Sequence, residues 1–216
     1  MNRVRRGARR AATFQRKAPQ LSGDLILIVC EGAETEPRYF EALKRLWKIH
    51  PVQLRVRGRE CGSDPLSVVT HAARIQEEAR KNGMRFDQVW SVMDKDAHTN
   101  LNIATDKARA SNIKICLSVP CFEFWYLLHY IHTTRPFANA DDVIQALKQH
   151  LPGNRYKKSA PPVDALMSRI NTALENAALV RRDNATAQRQ NPRTDVDLLV
   201  KELMTLRAEK PGERLR

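Results

Sequence analysis

The chain has 216 residues, 42% of them apolar, which suits one sizeable domain or one domain with a small appendage. Its 37 Lys and Arg against 24 Asp and Glu give a formal net charge of +13 and a pI near 10.0, favouring polyanionic partners, nucleic acid before acidic membrane surfaces. No apolar run approaches the roughly 18 residues of a membrane span and no secretory signal is visible, and Cys30, Cys61, Cys116 and Cys121 form no CxxC pair, so a reduced cytoplasmic protein without structural zinc is expected, its thiols buried or idle.

Residues 1–20 carry Arg3, Arg5, Arg6, Arg9, Arg10, Arg16 and Lys17 and no acid. This stretch reads as a disordered basic arm, either gripping phosphate backbone nonspecifically or serving as a solubilising tail. Residues 25–40, LILIVCEGAETEPRYF, begin with a continuous apolar run, the pattern of a strand buried on both faces. Thr35 is placed to cap the helix that follows, with Glu36 in its first turn and Pro37 near its start. Glu31 therefore stands at the carboxyl end of a central strand, where open α/β sheets hold their ligands. The helix continues to about residue 49, with Tyr39, Leu43, Leu46 and Trp47 as its apolar face and the Tyr39–Phe40 pair in the core.

A short strand is expected over 52–56, with Arg55, Arg57 and Arg59 alternating along one side as a phosphate-facing stripe or a solvated edge. Asp64-Pro65 opens a helix that runs to Asn82-Gly83. Residues 86–96, FDQVWSVMDKD, form a second buried strand ending in Asp94 and Asp96, which share a direction if the strand continues through both. His98 follows, a candidate for acid–base or phosphate contact, then a short helix to Ala110 and a third buried strand over 113–119. This alternation implies a parallel, doubly wound sheet.

Residues 122–131 read as a very apolar helix bearing Glu123 and His129, which lie about 240° apart around its axis and so on different faces. Glu123 is a further candidate ligand or simply an acid in a first helical turn; His129 reads as an interior histidine. A helix from Asp141 to about His150 leads to a polar loop over 152–162 containing Tyr156, Lys157 and Lys158, a phosphate-and-base holder or a connector. An amphipathic helix over 164–180, a polar stretch over 181–193 and a final helix over 195–208 capped by Thr194 complete the order, before a frayed tail. The expected division is arm 1–20, α/β core 21–131, mainly helical C-terminal part 132–208 packed on the core, and tail 209–216.

A strand-end Glu with a strand-end Asp-x-Asp supplies the anionic oxygens that Mg²⁺ or Mn²⁺ requires. Glu-Gly after one strand and Asp-x-Asp after a later one resembles the Toprim domain of topoisomerases, primases and OLD-type nucleases. More narrowly, ILIVCEGAETEPRYF, VMDKDAH, LSVPCFEFWYLLH and NPRTDVDLLV, in that order across most of residues 25–200, resemble the RloB-like family. That resemblance implies a Toprim-like, Rossmann-like sheet, a place in bacterial phage defence and an ATPase partner. It implies a metal-dependent nuclease in which Asp94 and Asp96 hold metal and Glu31 binds metal or handles the proton. Water is the expected nucleophile, and the absence of GxxxxGK[ST] assigns any ATP use to a partner. Two other readings stay open: a noncatalytic nucleic-acid-binding adaptor, and nucleotidyl transfer by the same metal geometry. DNA and RNA are equally compatible with these residues.

Overall fold

The computed structural model describes residues 24–51, 54–58, 64–95 and 100–206. Its centre is a five-stranded sheet in the order β2-β1-β3-β4-β5. The strands are β1 (Ile26–Cys30), β2 (Leu54–Arg57), β3 (Gln88–Asp94), β4 (Lys114–Val119) and β5 (Arg193–Thr194). The first four run parallel, and β5 pairs antiparallel with β4 through Ser118–Thr194 and Val119–Arg193. This is an α/β, Rossmann-like architecture with helices on both faces.

The apolar run of β1 explains why it is central. All five of its residues are fully buried, with Ile26, Ile28 and Cys30 entering one core and Leu27 and Val29 the other. The smaller core is closed by α2 (Pro65–Lys81) and α3 (Leu101–Ala110), which contribute Val68, Val69, Ala72, Ala104 and Ala108. The larger core gathers α1 (Thr35–Leu46), α4 (Glu123–Leu128), α5 (Ala140–Lys148), α6 (Val163–Met167), α7 (Ile170–Thr186) and α8 (Val196–Thr205). Residues from both ends of the described chain share it, so the C-terminal helices pack on the sheet and also complete it. Tyr39 is the hub of this core: its ring meets Phe40, Phe122, Trp125, Tyr126 and His129 at centroid distances of 5.7–6.2 Å.

Several expectations hold. Asp64 caps α2, accepting from the Leu66 and Ser67 N–H groups at 3.1 Å each, and Gly83 (φ 74°) turns the chain beyond it. His129 is fully buried between the Tyr39 hydroxyl at 3.2 Å and the Trp125 carbonyl at 2.9 Å, and burial depresses its pKa to about 4. Cys30, Cys116 and Cys121 are buried and in no disulfide.

Others need correction. Thr35 does not cap α1 but is its first residue, drawn inward where its carbonyl accepts from the Tyr126 hydroxyl at 3.0 Å; Glu34 takes the cap position. Leu46 is exposed rather than part of the apolar face, because α1 ends there and the chain turns at Lys48 (φ 52°). The helix expected over 164–180 is two, broken at Ser168–Arg169, where Arg169 swings over the Tyr130 ring at 5.0 Å. The second of them, α7, runs on through Arg181 to Thr186, since Arg181 has a partner in Asp197 that local polarity does not reveal. Thr194 belongs to β5, yet its hydroxyl still accepts from Val196 N–H at 3.2 Å at the start of α8. The apolar helix is only six residues long, and all six are buried. The basic arm, Arg59, Cys61, Asp96, His98 and the tail from residue 207 lie outside the described residues.

Candidate functional site

Parallel strands finish at a common edge, and the turns that follow them bring their side chains to one place. Glu31 follows β1 directly, and Asp94 is the last residue of the neighbouring β3. The two turns are tied together: Glu31 N–H donates to the Val92 carbonyl at 2.9 Å, and Asp94 N–H donates to Glu31 Oε2 at 3.2 Å. β4 ends at Val119, and Glu123 opens α4 four residues later. Glu36 comes from the first turn of α1. These four acids, with Glu34 at the lip, line a cleft of about 690 Å³ whose other wall carries Lys157, Lys158 and Ser159.

Two glycines permit this approach. A Cβ on Gly32 would collide with the Glu36 carboxylate, and one on Gly58 would lie 2.6 Å from the Gly32 carbonyl oxygen and 2.7 Å from Pro37 Cγ. The end of β2 is thereby pressed onto the turn that carries Glu31 and Glu36.

Electrostatics separates the acids. Glu36 is 5% exposed, and burial pushes its pKa up to about 7, with Glu123 and Glu31 adding to the shift and backbone hydrogen bonds opposing it. Glu123 is 2% exposed and accepts from the Tyr156 hydroxyl at 3.0 Å, with Lys158 Nζ at 3.7 Å. Burial works to lower the Lys158 pKa, but Glu123 first, then Cys121, Asp94 and Glu36, outweigh it and hold the ammonium above its usual value. Burial, then Glu123, raises the Tyr156 phenol, which stays protonated as a donor.

The expected residues thus divide. Glu31, Asp94, Glu123, Lys157 and Lys158 come together in one cleft. β3 ends at Asp94, and Asp96 lies outside the described residues, as do Arg3, Arg5, Arg6, Arg9 and Arg10. Tyr156 is committed to Glu123, with its ring against Tyr126 at 6.4 Å. Glu36 is the residue that sequence reasoning passed over, taking it for a first-turn acid. Its signal was Gly32, four residues earlier, whose missing side chain leaves room for the carboxylate.

The donor set is made of carboxylate oxygens at a sheet edge, chemistry that fits a hard divalent cation such as Mg²⁺ or Mn²⁺. Among the described residues, however, no three His, Cys, Asp or Glu side chains are already grouped to hold a metal ion. Glu31, Asp94, Glu36 and Glu123 are the described acids that line the cleft and would face such an ion, Glu123 with Lys158 beside it.

No curated protein and no solved structure matches the chain. The family model described as RloB-like protein matches residues 26–203, from the first residue of β1 to within two residues of the end of α8, taking in the whole acidic cleft. The chain belongs to the RloB-like family.

Proposed function

We propose that this protein is a Mg²⁺- or Mn²⁺-dependent nuclease that hydrolyses nucleic-acid phosphodiesters in the cytoplasm, acting in bacterial phage defence beside an ATPase partner. One observation carries the reading: Glu31, Glu36, Asp94 and Glu123, from four separate segments, line a single cleft together with Lys157 and Lys158 in a protein of net charge +13. Acids alone repel a phosphodiester and lysines alone do no chemistry on it; the two facing each other suit a substrate that is anionic and needs a cation.

A divalent ion bound there would supply charge neutralisation at the phosphate and a more acidic attacking water. Glu31 and Asp94 would hold it, their turns already fixed by the bond from Asp94 N–H to Glu31, with Asp96 as the third acid on the strength of the family resemblance. Glu36, protonated near neutral pH beside Glu31 and Glu123, would give up that proton as the ion binds and then be a carboxylate placed to accept one. Lys157 and Lys158 would take the phosphate oxygens, Lys158 exchanging Glu123 for substrate.

The test is cleavage of labelled DNA and RNA, structured RNA included, with Mg²⁺ or Mn²⁺ and with the neighbouring ATPase supplied. Glu31→Gln keeps the shape and removes a charge, so binding should persist while turnover falls on the order of 10²-fold or more. Cutting by Glu31→Gln at the wild-type rate would remove Glu31 from the chemistry. Wild-type silence under all these conditions turns the reading to a noncatalytic adaptor. Incorporation of labelled nucleotide would turn it to nucleotidyl transfer.

A further inference from the structure

Next to the acidic cleft lies a smaller hollow of about 280 Å³ between α1 and the loop that leads into α6, lined by Pro37, Arg38, Arg45, Ala160 and Pro161 among others. The two are walled by the same two segments. Glu34–Glu36 of the cleft run on into Pro37 and Arg38, and Lys157–Ser159 run on into Ala160 and Pro161. Their linings are contiguous along both segments, from the acids of the cleft to the arginines of the hollow, a line of residues that can serve as one groove. Residues 38, 41 and 45 recur at helical spacing on the outer face of α1, so Arg38 and Arg45 look along the groove together.

We propose that this groove is the path of a single-stranded nucleic-acid segment leaving the acidic cleft, with its phosphates held by Arg38 and Arg45. The inference rests on the nuclease reading and adds the strandedness of the substrate and the direction in which it runs. Three features carry it. The hollow is close to the size of the smallest ligand sites and takes one unpaired nucleotide. Its floor of Pro37, Ala160 and Pro161 offers apolar contact without hydrogen-bonding edges that would read a base. Its cations are available: Arg45 is exposed and makes no ion pair among the described residues, and Arg38 holds only the exposed Glu34 at 3.3 Å, a surface pair that a phosphate can displace. Glu41, also in the groove, lies 3.8 Å from Lys44, which offsets its charge.

The experiment measures binding of the full chain to a labelled ten-nucleotide strand, as DNA and as RNA, and to a hairpin duplex. Ca²⁺ replaces Mg²⁺ to occupy oxygen ligands in a looser geometry. Arg38→Ala with Arg45→Ala should weaken single-strand binding on the order of tenfold. It should flatten the slope of log affinity against log salt by about 1.4, two phosphates at roughly 0.7 each. Arg38→Lys with Arg45→Lys should restore most of both, while duplex binding moves little. An unchanged affinity and slope in the Ala pair, in a wild type that does bind the strand, overturns this path and leaves the nuclease reading standing. An equal loss for duplex and single strand overturns the strandedness. A wild type that binds no oligonucleotide overturns both readings.

Discussion

Asp197, fully buried on α8, and Glu36, 5% exposed on α1, are acids removed from water in the same core, and they are compensated in opposite ways. Asp197 receives both arms of the Arg181 guanidinium, Nη1 on Oδ2 at 3.0 Å and Nη2 on Oδ1, with Lys201 Nζ at 3.4 Å. Glu36 faces Glu31 and Glu123, and its pKa rises to about 7. A buried carboxylate with its own guanidinium is part of the scaffold, joining α7 to α8. One surrounded by other carboxylates holds a proton until a cation arrives from elsewhere, and such sites are where function concentrates. Glu123 is intermediate, its cation lent by a loop lysine.

The contrast can be broken most forcefully at Arg181. Arg181→Met leaves buried Asp197 with only the exposed Lys201 ammonium beside it, and urea unfolding should show a loss of about 3 kcal/mol; pairing it with Asp197→Leu should recover most of that. A loss below about 1 kcal/mol would mean the pair is not what joins the helices.

The next effect has the opposite sign. Glu36 titrates near 7 in the folded protein and near 4.5 in the unfolded one, so the folded state holds the extra proton between those values. Stability from this group is full below about pH 4.5 and is lost as pH rises to about 7. Glu36→Gln should therefore leave stability unchanged at pH 4 and raise it by about 2–3 kcal/mol at pH 8. His129 works the other way, since its depressed pKa removes stability as pH falls from about 6.5 to about 4. The difference between variant and wild type across pH isolates Glu36. A parallel pair of curves would return it to the scaffold class.

Smallest is Tyr156→Phe, which removes one hydrogen bond to Glu123 and should cost about 1–1.5 kcal/mol by thermal melting. Amide exchange over 156–160 should quicken with it. Unaltered exchange would mean that the lysine loop is held by something other than Glu123.

The parts of this molecule that were legible in the sequence are those written in local pattern. The buried run of β1, the Asp64 cap and the apolar segment of α4 each carry their own signal, and Glu31 and Asp94 follow from where strands must end. The parts that were not legible depend on distant partners. α7 outruns its polar sequence because Arg181 meets Asp197 sixteen residues on, and β5 is two residues long, too short for any period. Glu36 looked like a helix-start acid until Glu31 and Glu123, from two other segments, were seen beside it. The turn toward Tyr126 that made Thr35 buried likewise has no local trace.

β5 has a consequence for how the chain is made. The exposed flank of β4 is covered by residues 193–195: Asp195 N–H donates to the Leu117 carbonyl at 3.0 Å, and the Ser118 and Thr194 hydroxyls meet at 3.1 Å. Synthesis delivers β4 some seventy residues before its cover. During that interval the nascent sheet presents an open row of backbone donors and acceptors able to pair with another chain. A transcript cut short before residue 191 would freeze the protein in that condition, so its truncated products should be found in aggregates rather than as a smaller folded core.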